Sequence, residues 1–581
     1  MIKALSSETL CEAFQITAAE RADGVALRTK GDTSRYTWNE YAERVRTIAA
    51  GLAALGVSRG EPVGLLLTNR PEFHIVDAAA MHLGAIPFSM YNTAAPDQLA
   101  FIARSSGFRV LITERSLLEK ALPLRQAGSA LEQVVLIDGD SGDSGDRGGD
   151  GATMSLDALE AGASPEFPFE ERWRSVQADD VATLIYTSGT TGPPKCVQIT
   201  HRNLLREWAA LNEVFDISPG GRILSWLPAA HIADRLLGQY QQICFGHTVT
   251  CVPDARQLAE HLVEVRPTFW VAVPRIYEKF RSALESRMTD EQHAALDVGL
   301  RKVRAELAGE TVESDLLAEY ERHDREVFAP IRASLGLDRA EQFVVGASPI
   351  PVAVLEFFHA LGMPVCEVWG MSELPIATAN PPSRPKLGSV GPPVPGVEVR
   401  LAHDGEVLVR GPMVMKGYRG DPEKTAEALD GDGWYATGDV GVLDEDGYIT
   451  IVDRKKELII SSTGKNMSPS AIEAELKSAS SLIGQAMAVG DGRPYNVALV
   501  VLDPESVEGK PDETIRQVVE RAVAEANEKL SRPEQIKRYR ILSDVWAPGG
   551  DELTPTSKLK RRAIAEKYAT VITELYEGTT T

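Results

Sequence analysis

Nine consecutive residues, Thr187-Ser188-Gly189-Thr190-Thr191-Gly192-Pro193-Pro194-Lys195, hold two glycines, four hydroxyl side chains and a lysine. Glycine lets backbone N–H groups come close to an oxyanion, hydroxyls add donors, and lysine adds positive charge. That is the chemistry of a loop that grips phosphate. The apolar run Val181–Tyr186 just before it reads as the strand that carries it. The loop is not the GxxxxGK[ST] type, because Pro194 precedes the lysine and Cys196 follows it. An ordinary Gly/Pro/Thr surface turn is the competing reading.

Tyr186–Lys195 resembles the phosphate loop of the adenylate-forming superfamily, which includes acyl-CoA synthetases, luciferases and the adenylation domains of peptide synthetases. Further segments resemble that family's motifs, in the same order, over nearly the whole chain. Leu227-Pro-Ala-Ala-His231 resembles the segment that sets a histidine beside the carboxylate pocket; a core histidine bonded to a carbonyl is the alternative. Val345-Gly346-Ala347-Ser348-Pro-Ile-Pro351 resembles the stretch that lies along adenine. Glu367-Val-Trp369-Gly370-Met371-Ser372-Glu373 resembles the motif that brings an aromatic ring to adenine, a hydroxyl to the α-phosphate and a carboxylate to Mg²⁺. By position these are Trp369, Ser372 and Glu373; a helix-capping Ser-Glu is the rival. The commonest form has Tyr and Thr where this chain has Trp and Ser, and both replacements keep the chemistry. A hard carboxylate oxygen suits Mg²⁺, which keeps waters and also binds substrate phosphate.

Trp434-Tyr-Ala-Thr-Gly-Asp439 resembles the segment whose aspartate binds both ribose hydroxyls, and a carboxylate suits two O–H donors. Tyr448 to Asp453-Arg454-Lys-Lys-Glu457 resembles the hinge segment, with Asp453 as pivot and Arg454 on ribose or phosphate. Lys455 and Lys456 read equally well as a solvated patch and are given no role. Ser461-Ser-Thr-Gly464-Lys-Asn-Met467 resembles the loop that swings in for the thioester step, which implies Gly464 beside the pantetheine channel. Pro555-Thr-Ser-Lys558-Leu-Lys560 resembles the motif of the family's catalytic lysine, Lys558.

The resemblance implies two half-reactions with ATP, Mg²⁺ and coenzyme A. A carboxylate attacks the α-phosphorus of ATP to give acyl-AMP and pyrophosphate, stabilised by Mg²⁺ at Glu373 and by Lys558, with Thr187–Lys195 on the β- and γ-phosphates. The small domain then turns about Asp453 so that the CoA thiol attacks acyl-AMP. Val273-Pro-Arg-Ile-Tyr277, Asp453–Ile460 and Ser462–Asn466 are most similar to long-chain fatty-acid–CoA ligases, which implies a medium- to long-chain fatty acid. Trp208, Trp226, Phe245 and Trp270 read as tunnel lining or as plain core. An acyl carrier protein is the alternative acceptor. A catalytically silent regulator is disfavoured because Glu373 and Lys558 are both present.

The elements that must position these residues are legible as strand–helix alternation. Residues 37–60 read as an amphipathic helix, Glu61–Thr68 as a buried strand and Pro71–Leu83 as a helix. Gly84–Ser89 and Val110–Thr113 read as further strands. Residues 282–327 read as solvent-exposed charged helices, and Asp138–Gly151 as an acidic low-complexity surface loop. From about residue 388 the texture turns to short strands around Asp404-Gly405 and Asp446-Gly447, the chemistry of tight hairpins. The expected fold is α/β: a large N-terminal domain, 1–453, of parallel sheets flanked by helices with a β-rich subdomain at about 388–453, then a small mobile α+β domain, 454–581.

Bulk composition agrees with this. A 581-residue chain exceeds what one core serves. A net charge of −22 repels nucleic acid and anionic membranes, leaving at most peripheral membrane contact. Five scattered cysteines without a CxxC pair argue against zinc and a disulfide framework. With no secretory signal or spanning segment apparent, a cytoplasmic protein is expected.

Overall fold

The computed structural model describes residues 2–139, 153–187, 194–461, 465–547, 549–554 and 558–577. The acidic segment after residue 139, residues Ser188, Gly189, Thr190, Thr191 and Gly192 of the phosphate loop, and Gly464 lie outside the described residues.

Parallel sheets build the large domain, as expected. A five-stranded, wholly parallel sheet has the order Ile86–Ser89, Pro62–Leu66, Val110–Thr113, Gln133–Leu136, Thr153–Ser155. Its inner strands Pro62–Leu66 and Val110–Thr113 are fully buried runs, as a sheet covered on both faces requires. A second sheet orders Phe269–Ala272, Gln342–Val345 and Val365–Met371 in parallel, then folds back as Leu374–Ala379. Strand Val181–Thr187 pairs antiparallel with Lys195–Thr200, so the phosphate loop joins two strands of a hairpin, not a strand and a helix.

The helix expected over 37–60 spans Trp38–Ala54, started by a Thr37/Glu40 capping box. Among the expected aromatics, Trp208, Phe245 and Trp270 are core, while Trp226 is half-buried and stacks on Trp270. The charged stretch 282–327 needs a correction. Helix Asp290–Leu307 buries Ala295, Leu296, Val298, Gly299 and Val303 against helix Val352–Ala360, so only its other face meets solvent. A high charge density hid a narrow apolar stripe.

The β-rich subdomain is a four-stranded antiparallel sheet, Glu398–Leu401, Glu406–Arg410, Tyr435–Leu443 and Ile449–Arg454. Gly405 and Gly447 hold φ of 82° and 83°, which is why Asp-Gly marks both turns. Beyond it, helices Pro469–Ala479 and Asp512–Lys529 pack on a sheet of Ile483–Val489, Asn496–Leu502 and Ile536–Leu542 around a separate core. All five cysteines are free and buried. No described helix is long and apolar enough to cross a membrane.

One core group carries a pH signature. Glu207, on helix His201–Phe215, is fully buried; its Oε1 accepts from the Ile376 N–H at 3.0 Å, and Oε2 has no partner among the described residues. Burial pushes its pKa well above the ordinary 4.5, so the folded protein holds a proton that the unfolded chain releases. The stability this group contributes is complete below about pH 4.5 and is lost as pH climbs toward the folded value, by up to ~1.4 kcal/mol per pH unit. Glu207→Gln is expected to raise the urea midpoint at pH 8 and to leave it unchanged near pH 4.5. A gain independent of pH contradicts the protonated state.

Candidate active site

Parallel strands deliver their chemistry at their carboxyl ends. Strand Gln342–Val345 runs into Gly346, Ala347 and Ser348. Ala347 takes φ +74°, a left-handed conformation costing about 1–2 kcal/mol for a residue with a Cβ. Ala347 and Ser348 are exposed, at the rim of the site. The neighbouring strand, Val365–Met371, carries Trp369, Gly370 and Met371 and turns through Ser372 and Glu373 into Leu374–Ala379. The fold-back presses the two strands together: a Cβ on Gly370 would stand 2.0 Å from the Pro375 carbonyl oxygen.

Asp439 comes from strand Tyr435–Leu443, opposite Arg454 on Ile449–Arg454. Its carboxylate accepts from Trp369 Nε1 at 2.8 Å and pairs with Arg454 Nε at 2.7 Å. Burial lifts its pKa, an effect that Arg454 only partly opposes. Glu373 is buried at 9% exposure, accepts from the Tyr418 hydroxyl at 2.8 Å, and has no ion-pair partner among the described residues. Lys195 Nζ lies 3.3 Å from the same hydroxyl and 4.5 Å from the Tyr418 ring centre. Tyr418 is placed by Gly417–Tyr418 pairing with Lys195–Thr200.

Lys558 enters from the small domain at the end of a turn closed by the Leu553–Leu559 bridge, with its N–H donated to Thr554 Oγ1. It is hemmed in by protein yet stays open to solvent. That enclosure, then Arg454, lowers its pKa, while Asp439, Glu457 and Glu373 pull the other way. His231 faces the same space. Its Nδ1 accepts from the Ala233 N–H at 3.1 Å, which places the ring proton on Nε2. Burial, then Lys558, lowers its pKa to about 4, so it is neutral at physiological pH.

The structure therefore links Lys195 to Glu373 through Tyr418 and Trp369 to Arg454 through Asp439, and sets Lys558 within electrostatic reach of Glu373, Asp439, Arg454 and His231. A single buried carboxylate without a cation partner fits Mg²⁺, with phosphate and water completing the shell; no group of three His, Cys, Asp or Glu among the described residues could hold an ion. Asp453 is buried, and its carboxylate accepts from Ser468 Oγ at 2.5 Å, Ser470 N–H at 3.0 Å and Ser470 Oγ at 3.2 Å, gripping the start of helix Pro469–Ala479. Sequence reasoning missed Tyr418, which bridges Lys195 and Glu373. Lys455, given no role from the sequence, is exposed as a solvated patch would be, and its Nζ sits 2.5 Å from Asp404 and 2.8 Å from Glu406.

This fold and this set of residues define an adenylate-forming architecture. The chain belongs to the AMP-binding enzyme family, which it matches over residues 14–419, with the AMP-binding enzyme C-terminal domain over 456–580. FadD11 of Mycobacterium tuberculosis is 50% identical over 448 residues, covering 73% of this chain and 78% of that protein. The long-chain-fatty-acid–CoA ligase FadD15 of Mycobacterium bovis is 35% identical over 577 residues, 93% of this chain and 92% of that one. The fold matches the A domain of carboxylic acid reductase from Segniliparus rugosus, solved with AMP and a carboxylic acid, at TM-score 0.75 and 21% identity over 98% of this chain and 94% of that one.

Proposed function

We propose that the protein activates a medium- to long-chain fatty acid with ATP to acyl-AMP and passes the acyl group to coenzyme A, in a cytoplasmic setting. The observation that carries this reading is that Lys558, from the small domain, lies within electrostatic reach of Asp439 and Glu373 of the large one and of Arg454 at the junction between them. Family membership and the long-chain-fatty-acid–CoA ligase name of FadD15 support the acid and the acceptor.

In this reading Asp439 accepts the ribose hydroxyls, Trp369 flanks adenine, and Gly346–Ser348 line the base. Lys195 and the Thr187–Gly192 loop hold the outer phosphates. Glu373 would hold Mg²⁺, which when bound would neutralise phosphate charge. Ser372 lies near the α-phosphate. Neutral His231 presents Nε2–H toward the acid's carboxylate without competing for a proton. The Lys558 ammonium meets charge that builds on the α-phosphate and bridging oxygen as the carboxylate attacks. The small domain then turns about Asp453, Lys558 withdraws, and the Gly464 loop lines the thiol's approach.

The test is incubation of the purified protein with ATP, Mg²⁺ and a pool of straight-chain, branched and aromatic acids, with and without CoA, read by mass spectrometry. Long-chain acyl-CoA appearing only with CoA supports the reading. Acyl-AMP that accumulates and ignores CoA transfers the second step to a carrier protein, and a preference for short or aromatic acids overturns the acid class.

A further inference from the structure

Helix Pro274–Glu285 is fixed to the large domain by Tyr277, which is fully buried, meets Phe358 edge-on and donates its hydroxyl to the Val344 carbonyl at 3.4 Å. The first turns of this helix touch the small domain instead. Arg275 Nη2 lies 2.5 Å from Asp503 Oδ2, and one turn later Lys279 Nζ lies 3.0 Å from Glu505 Oε2. Lys279 and Glu505 are too exposed to matter much. Arg275 and Asp503 are different: their side chains are 34% and 11% exposed. Asp503 is also held still by its own helix start, since Oδ1 accepts from the N–H groups of Glu505 and Ser506 at 3.1 and 3.2 Å. Arg275 therefore docks on a carboxylate that is already oriented, so the charge-assisted bond loses little side-chain freedom on the acidic side.

The position of this pair gives it leverage. Asp503 follows strand Asn496–Leu502, seven residues long and paired with the seven-residue strand Ile483–Val489. At the other end of that hairpin Asp491 accepts from the Ile460 N–H, just past the hinge. Seven strand residues span about 20 Å. A rotation of roughly 10° moves a point about 20 Å from its axis by roughly 3 Å, enough to part an ion pair. Lys455, beside the hinge, can hold Asp404 and Glu406 through such a turn; Arg275 and Asp503 cannot stay together.

We infer that the Arg275–Asp503 ion pair is a latch that positions Lys558: it holds the small domain in the acyl-AMP-forming arrangement and must open before the thioester step. The inference rests on the proposed alternation about Asp453. Neither residue contacts the site groups gathered near Lys558, so both act on the chemistry only through the domain they hold.

When two arrangements exchange rapidly and each serves one half-reaction, the ratio of the two rates follows their populations. Single-turnover rates are measured for acyl-AMP formation from ATP and palmitate, and for palmitoyl-CoA formation from supplied palmitoyl-AMP. Arg275→Ala is expected to raise the ratio of the second rate to the first about five- to tenfold, and Arg275→Lys, which keeps the charge, to return it to within about twofold of wild type. An unchanged ratio in Arg275→Ala, or both rates falling together, overturns the latch. Lys558→Ala tests the alternation separately: loss of the first rate alone upholds it, and equal loss of both removes it and the latch with it.

Discussion

A Lys558→Ala protein is expected to form acyl-AMP about 10²–10³-fold more slowly than the natural protein, because one preorganised cationic donor aimed at developing charge supplies about 3–4 kcal/mol in a partly dehydrated site. The lysine is enclosed by protein but not sealed from water; the charge of Arg454 works against its ammonium form, and those of Asp439, Glu457 and Glu373 favour it. The enclosure, like the guanidinium, disfavours the ammonium form. An ammonium already strained in the resting protein is relieved when negative charge appears beside it, which is differential stabilisation of the transition state and not of the ground state. The lowered pKa also sets a sign: the rate of the first half-reaction should fall on the alkaline side earlier than an ordinary lysine, at 10.5, would allow. Rapid-quench measurement of pyrophosphate release across pH checks both points. A full rate in Lys558→Ala removes the assignment.

Much of this site is legible in the sequence because each motif is local. Glu367–Glu373 is a strand and its turn, Asp404-Gly405 announces a hairpin by the φ it needs, and Thr187–Lys195 concentrates donors within one loop. What the sequence hides is which motifs touch. Trp369 and Asp439 are 70 residues apart, and Tyr418 and Glu373 are 45 apart; no periodicity links either pair. Tyr418 in particular stands in a short stretch whose pairing with Lys195–Thr200 is visible only in the folded sheet. Lys455 looks like any solvated lysine until the Asp404-Gly405 hairpin is seen to bring Asp404 and Glu406 beneath it. Charge density misled the reading of Asp290–Leu307 for the related reason that burial is set by the partner helix, and the sequence does not name the partner.

The largest stability effect is expected at Arg235. This residue begins a π-helical turn, Arg235–Tyr240, four positions after His231, and it is fully buried with Asp77 of helix Pro71–His82 as its ion-pair partner. Its guanidinium also donates to the Tyr240 hydroxyl at 2.9 Å and 3.1 Å and to Ser89 Oγ at 3.3 Å. Asp77 is less well supplied: its Oδ2 takes the ion pair and its Oδ1 has no hydrogen-bond partner among the described residues. Arg235→Ala therefore leaves a carboxylate stranded in the core, and about 3–5 kcal/mol of stability should be lost. Replacing both residues, as Asp77→Leu with Arg235→Met, removes the stranded charge and should lose much less than the two single changes summed. Urea midpoints over the full cycle measure that non-additivity, and simple additivity would show that the pair is not energetically coupled. The same cycle bears on chemistry. The backbone N–H of Arg235, which any residue at that position keeps, donates to the His231 carbonyl at 3.3 Å, and His231 caps the short helix Ile232–Asp234 through Nδ1. A double variant that regains stability but not acid activation would mean that the buried pair also fixes the orientation of His231, a role that well-packed apolar residues of similar volume cannot take over.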